Sequence, residues 1–338
     1  MKPPDPIQAD PSKTDPYGTL EVVQRACPQV IEAAHGALRQ VNKDEPLRLA
    51  ILDSALEIIG DPIKRAEFDG IVGLEVGKPI GNYTTLEKIA EGGFGSTYKA
   101  THRLTGCPVC IKHAHHISAA DEAILMEEAR ICWDLRHWGI PAIRNIIRMS
   151  DDSLAIVMSY IPGPTLVQVR EMPAHHGGIE PEHVAWITDR MLNILKYLHF
   201  EGVMHGDVKP ANVIIQPESH TVTLVDYGLS ALRPKRSDTV KGYTPFYASP
   251  EQMAGQTLTP ECDFFGLGMT MIYALGGSVE TIKVPGTTPP EMCKFIKRLI
   301  RRDADARPHW QDEDLCHTIH EVREKDFGRK MSGMKPLF

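Results

Sequence analysis

Apolar positions recur along this 338-residue chain with two different periods. Near the N-terminus, Ile31, Ala34, Leu38 and Val41 fall at helical spacing, which predicts an amphipathic helix over Pro28–Val41 with Pro28 suited to its first turn. Leu49, Leu52, Leu56 and Ile59 repeat the pattern in a second helix over Leu47–Ile59; Gly60 closes it and Asp61-Pro62 opens a short third one. Further on the period shortens to that of strands. Thr84–Ala90 and Ser96–His102 flank a glycine-rich turn, and Val109-Cys110-Ile111-Lys112 is a β-branched strand with a lysine in it. Ala123, Leu125, Met126, Ala129, Ile131, Cys132 and Leu135 then return to helical spacing over about Ala120–Leu135. Val213-Ile214-Ile215 and Val222-Thr223-Leu224-Val225 read as two short strands around the polar turn Gln216–Thr221. The longest apolar run, Phe264–Gly277, is broken by glycines and too short to span a membrane.

Candidate chemistry sits at the ends of these elements. In Ile89-Ala90-Glu91-Gly92-Gly93-Phe94-Gly95 the glycines let backbone N–H groups approach phosphate oxygens with no Cβ in the way. Such a loop alone also serves ordinary hairpins, and a lone strand lysine usually lies on a solvated face. Following that loop and preceding a helix, Lys112 reads better as a phosphate ligand. The most informative stretch is His205-Gly206-Asp207-Val208-Lys209-Pro210-Ala211-Asn212, with Asp226-Tyr227-Gly228 beginning fourteen residues after Asn212. The hairpin between them brings Asn212 and Asp226 to the same end. Two carboxylates, a lysine and a carboxamide at this spacing suit phosphoryl transfer: one carboxylate orients a hydroxyl, the carboxamide and the second carboxylate hold magnesium, and the lysine neutralises the moving group.

In order and spacing, these motifs from about Tyr83 to Arg323 resemble the eukaryotic-type (Hanks-type) serine/threonine protein kinases. The resemblance implies an α+β, two-lobed fold, a small antiparallel β lobe plus a helical lobe, acting with ATP and Mg2+ on protein substrates. It implies that Asp207 is the catalytic base and Lys209 stabilises the transferred group, with Asn212 and Asp226 binding metal. ATP would be held by Ile89, Gly92, Gly93, Gly95, Thr97, Cys110 and Lys112, by Glu128 positioning Lys112 (Glu127 is the neighbouring alternative), and by the backbone at Ser159 and Ile161 beyond Met158. Glu251 of Ser249-Pro250-Glu251 should pair with Arg307, Asp263 should anchor the backbone around Asp207, and Thr244 should tie the substrate loop to Asp207. Lys209 and Thr244 favour serine and threonine over tyrosine as acceptors.

Four departures mark the chain: Ala90 for a loop glycine, Thr97 and Cys110 above the adenine, Tyr227 for phenylalanine with a hydroxyl that needs a partner, and Gly206 where many kinases carry arginine. That arginine receives an activation-loop phosphate. Its replacement implies activity independent of loop phosphorylation, and Gly206→Arg is expected to leave transfer intact. His-Gly-Asp with Asp-Tyr-Gly is similar to the vaccinia-related kinases. Small-molecule phosphotransferases of the aminoglycoside and choline kinase type also carry His-Gly-Asp, but they do not account for Lys209-Pro210, the Ser-Pro-Glu segment, Asp263 or Arg307.

Ahead of this domain, Asp15-Pro16-Tyr17 and Asp61-Pro62-Ile63-Lys64-Arg65-Ala66-Glu67-Phe68-Asp69 resemble a J domain, while the loop Asn42-Lys43-Asp44-Glu45-Pro46 lacks the His-Pro-Asp that drives chaperone ATPases. The implied organisation is a disordered tail over 1–14, a degenerate J-like helical module over 15–70 kept for docking or for packing against the kinase, a linker over 71–82, the kinase domain over 83–323 and a C-terminal tail over 324–338. A net charge of −7 gives no electrostatic case for nucleic acid or anionic membrane. Seven cysteines, an odd number, and an N-terminus without an apolar signal core suggest free thiols and a cytoplasmic location. Cys107 and Cys110, three apart on a strand, face opposite sides, which argues against zinc. The alternative from another class is a pseudokinase adaptor using both modules as docking surfaces.

Overall fold

The computed structural model describes residues 15–23, 26, 28–60, 64–65, 74, 76–92, 95–114, 119–149, 153–216, 220–330 and 337. The chain divides into two units, residues 1–75 and 76–338.

In the first unit, helices α1 (Pro16–Thr19), α2 (Pro28–Val41) and α3 (Pro46–Ile59) enclose a small core of Tyr17, Leu20, Ala26, Ile31, Leu52, Ala55 and Ile59. Asp15 starts α1 by accepting the Tyr17 N–H at 3.0 Å. Helix α3 begins one residue earlier than its apolar period suggests, because Pro46 itself is suited to a first helical turn. Its buried stripe is Leu52, Ala55 and Ile59. Val41, expected on the buried face, is exposed: it is the last residue of α2 and lies beyond the small core. Arg65 donates to the Tyr17 hydroxyl and to the Ala26 carbonyl, both at 2.9 Å, and so joins the Asp-Pro-Tyr segment to the far end of the unit. Most of the expected short third helix lies outside the described residues, as do the tail over 1–14 and linker residues 71–73 and 75.

The second unit opens with a six-stranded antiparallel sheet in the order β1-β2-β3-β4-β6-β5. Its strands are β1 (Pro79–Ile80), β2 (Tyr83–Gly92), β3 (Gly95–His102), β4 (Pro108–His113), β5 (Ile143–Arg148) and β6 (Leu154–Ser159). Because β1 pairs with Tyr83 and Thr84, residues 79–80 of the expected linker are sheet and 81–82 are the turn that joins them to β2. Helix α4 (Ala119–Trp133) packs on this sheet through Leu125 and Ala129 against Leu154 and Ile156.

The rest of the unit is mainly helical: α5 (Leu166–Glu171), α6 (Pro181–Phe200), α7 (Pro250–Met253), α8 (Pro260–Ala274), α9 (Pro290–Leu299) and α10 (Leu315–Phe327). Two small ribbons lie between α6 and α7: β7 (Val203–Met204) with β10 (Ala231–Leu232), and β8 (Val213–Gln216) with β9 (Thr221–Leu224). Phe264, Met191, Leu192 and Phe295 are fully buried at the core. Helix α8 is buried on nearly all sides, so its apolar run needs no membrane. Helix α10 extends to Phe327, into the stretch expected as a tail, and Gly328 at φ 72° ends it. Among the described residues no helix is long and apolar enough to cross a membrane.

Candidate active site

Strand alternation sets the first part of the site. Along β4, Val109, Ile111 and His113 are buried, while Cys110 and Lys112 share the other, half-buried face. Lys112 lies opposite Thr97 of β3 and Ile156 of β6, and α4 covers this face. The Lys112 Nζ donates to Glu128 Oε2 at 2.8 Å, to Glu128 Oε1 at 3.0 Å and to Asp226 Oδ1 at 2.9 Å. Burial opposes the Lys112 charge, but Glu128 and then Asp226 outweigh it and hold the ammonium above its ordinary range. Burial pushes the Glu128 carboxyl up against the pull of Lys112, and Asp226 adds to the rise. Asp226 is also desolvated, yet Lys112 brings its carboxyl below the usual value. The neighbouring candidate Glu127 pairs instead with Lys241 at 3.1 Å.

The second part is built on the segment after β7. The Asp263 carboxylate, buried at the start of α8, accepts the His205 N–H at 2.9 Å and the Gly206 N–H at 2.8 Å. The ring of His199 donates to the same carboxylate at 2.8 Å through Nε2, and its Nδ1 accepts the Trp310 indole N–H at 2.8 Å. Gln252 closes the cradle by donating to the Gly206 carbonyl at 2.6 Å. Held in this way, Asp207 presents a carboxylate with three partners. Thr244 donates to Oδ1 at 2.6 Å, Lys209 lies 2.7 Å from Oδ2, and the Asn212 amide donates to Oδ2 at 3.0 Å. Lys209 also donates to the Thr244 hydroxyl at 2.9 Å.

The β8–β9 hairpin joins the two parts. Its register pairs Val213 with Leu224, and just beyond it the Val225 N–H donates to the Asn212 carbonyl at 2.9 Å. Asn212 and Asp226 are therefore brought to one end of the hairpin. Asp226 takes a left-handed backbone, φ 66°, uncommon for a non-glycine residue. At the start of α8, Arg307 grips Glu251 through two hydrogen bonds at 2.6 and 2.9 Å and donates to the Glu261 carbonyl at 2.9 Å.

Residues 83–282 match the sequence model of the protein kinase domain. The chain belongs to the protein kinase family. It is 29% identical over 287 residues to the serine/threonine-protein kinase PkaA of Streptomyces coelicolor, covering 73% of this chain and 51% of that protein. It is 30% identical over 250 residues to the serine/threonine-protein kinase pkn3 of Myxococcus xanthus, covering 69% and 45%. To the serine/threonine-protein kinase PAK mbt of Drosophila melanogaster it is 28% identical over 239 residues, covering 70% and 35%. This kinase chain thus spans about half or less of the length of these curated relatives.

The remaining positions named from the sequence lie on the sheet and at its edge. Ile89 is the unpaired residue of a bulge in β2 and is half exposed. Gly92 pairs with Gly95, whereas Gly93 lies outside the described residues. Gly95 has φ +144°, and a Cβ there would run into the His113 carbonyl, so only glycine fits. Ala90 is not among the positive-φ residues, so replacing glycine there imposes no strain of that kind. Cys110 sits opposite Met158, and burial pushes its thiol up to about 12, leaving it neutral. Ser159 ends β6, with its N–H donating to Ala142, and Ile161 lies two residues on. The Tyr227 hydroxyl finds its partner in the Leu224 carbonyl at 3.3 Å.

Gly206 requires a correction. It has φ +75°, and a Cβ there would meet the Leu229 carbonyl and Leu258 Cδ1, both at 2.8 Å. Arginine at this position is strained whatever its charge does, so Gly206→Arg is not the harmless exchange that the sequence suggested. Sequence reasoning also missed Gln252, His199 and Trp310. The only available signal for His199 was a histidine at the end of a helix leading into the Asp207 segment; nothing local marked the others.

Proposed function

We propose that residues 83–323 transfer the γ-phosphoryl group of Mg-ATP to serine and threonine hydroxyls of proteins, independently of phosphorylation of the segment between Asp226 and Ser249. The observation that carries this reading is the Asp207 carboxylate, fixed by Thr244, Lys209 and Asn212, the last of which shares one end of the β8–β9 hairpin with Asp226. In the reaction the substrate hydroxyl oxygen bonds to the γ-phosphorus, the bond from phosphorus to the β–γ bridging oxygen breaks, and the hydroxyl proton passes to Asp207 as ADP leaves. Lys209 stays beside the transferred group, and Lys112, positioned by Glu128, holds the α- and β-phosphates. The backbone at Ser159 and Ile161 binds adenine beneath Ile89 and Thr97, with the glycine turn over the phosphates.

The donor set suits magnesium. The Asn212 amide nitrogen is engaged by Asp207, which leaves the amide oxygen as acceptor, and Asp226 adds carboxylate oxygen. Asn212 and Asp226 would therefore hold the ion, which when bound neutralises phosphate charge. Residues 15–70 form, on this reading, a J-like docking module without co-chaperone activity, since residues 42–46 lack His-Pro-Asp. The kinase is read as cytoplasmic.

The test is incorporation of labelled phosphate from ATP and magnesium into the protein itself or a generic basic protein. Asp207→Ala and Lys112→Ala should each lower it by roughly a hundredfold or more. Unchanged incorporation in Asp207→Ala would assign the transfer to a contaminant and favour an adaptor.

A further inference from the structure

We propose that Lys241 is a positioning residue: a strap that fastens the segment carrying Thr244 to the helix carrying Glu128, so that the site assembles with no covalent change to that segment. This rests on the kinase reading above and names the group responsible for its independence from phosphorylation.

Two arms of one segment and a helix far earlier in the chain meet at one ammonium. The Lys241 Nζ donates to the Ser230 carbonyl at 2.8 Å and lies 3.1 Å from Glu127 Oε2. Ser230 is fully buried, and its hydroxyl donates to the His205 carbonyl at 2.9 Å, so the near arm of the segment is anchored behind Asp207. Lys241 is on the far arm, three residues before Thr244, whose hydroxyl bonds Asp207. Glu127 is on α4, directly before the Glu128 that pairs with Lys112. One cation therefore ties both arms of the segment to the helix that positions the phosphate-binding lysine.

An isolated surface ion pair would contribute little. This ammonium differs in two respects: its side chain is only 22% exposed, and it also satisfies the carbonyl of a buried residue, which makes that hydrogen bond charge-assisted. Glu127, 42% exposed, can rotate away without a cation to hold it. Loss of Lys241 would then release α4 from one side and the Thr244 segment from the other.

The test is a charge exchange in the full chain: Lys241→Glu, Glu127→Lys and the double variant. Each single change should lower kcat/KM for ATP by about fivefold to tenfold, and the double should recover at least half of that loss on a logarithmic scale, incompletely because Ser230 still lacks its cationic donor. Amide hydrogen exchange without nucleotide should rise in residues 119–133 and 226–248 together in each single variant and fall again in the double. Singles within about twofold of wild type, or a double as slow as the worse single, would overturn the strap. The exchange measurement needs no catalysis. If the wild type transfers no phosphate, the kinase reading fails, while coupled exchange still supports the strap and exchange confined to residues around 241 contradicts it.

Discussion

Two charge networks flank the Asp207 segment, and they are built differently. Behind it, the Asp263 carboxylate is 1% exposed and accepts from two backbone N–H groups and a histidine ring, while Arg307 and Glu251 form a two-point bridge. In front, one lysine is shared between Glu128, which is buried, and Asp226, whose side chain is 46% exposed. The rear network spends every donor on fixed partners and works as a frame. The front one holds two carboxylates with a single cation, so its lysine divides one charge between two partners. Burial opposes ionisation in both. In the rear the hydrogen bonds win for both carboxyls, which lie below their ordinary values; in the front Glu128 lies above and Asp226 below.

The sharpest way to break this contrast is Asp263→Ala. It strips the acceptor from two buried N–H groups and from His199, and the loss should be about 3–5 kcal/mol, which lowers Tm by on the order of 10 °C. Urea unfolding and a thermal melt check it. Lys112→Ala should cost less stability while removing more than its share of transfer. If Asp263→Ala melts no lower than Lys112→Ala, the rear network is not the frame.

A smaller effect distinguishes the networks by pH. Burial would raise the Glu251 carboxyl, but the hydrogen bonds from Arg307 bring it below its ordinary value of 4.5. The native state therefore binds fewer protons than the unfolded chain in this range. Its stabilisation is full above the unfolded value and is lost as pH falls through the folded one. Urea midpoints measured from pH 6 down to about 3.5 should fall, and Arg307→Met should flatten that fall. Glu128 has the opposite sign, since its raised carboxyl binds more protons when folded, so Glu128→Gln should leave the acid slope intact or slightly steeper. A flatter slope in Glu128→Gln would place the acid sensitivity in front.

How much of this was legible in the chain depends on sequence distance. Helices α2 and α3 and the β8–β9 hairpin could be read because each is set by a local period or a short turn. Asn212 and Asp226 were legible together because the hairpin between them has only one sensible register. The two-residue strand β1 has no period to detect and gains its identity only from pairing with β2. Gly206 shows the limit from another side: a missing arginine is visible in the sequence, whereas a φ of +75° against the Leu229 carbonyl is a property of the folded loop. The line from Trp310 through His199 to Asp263 spans 111 and 64 residues, and no local pattern encodes contacts of that length.

The most direct test of the account is single-turnover phosphoryl transfer by Asp207→Asn, an exchange that keeps the shape of the side chain. With Tm close to that of the wild type, the rate from Mg-ATP to a protein hydroxyl should fall by roughly a hundredfold to ten-thousandfold. A folded Asp207→Asn protein that transfers phosphate at the wild-type rate would contradict it.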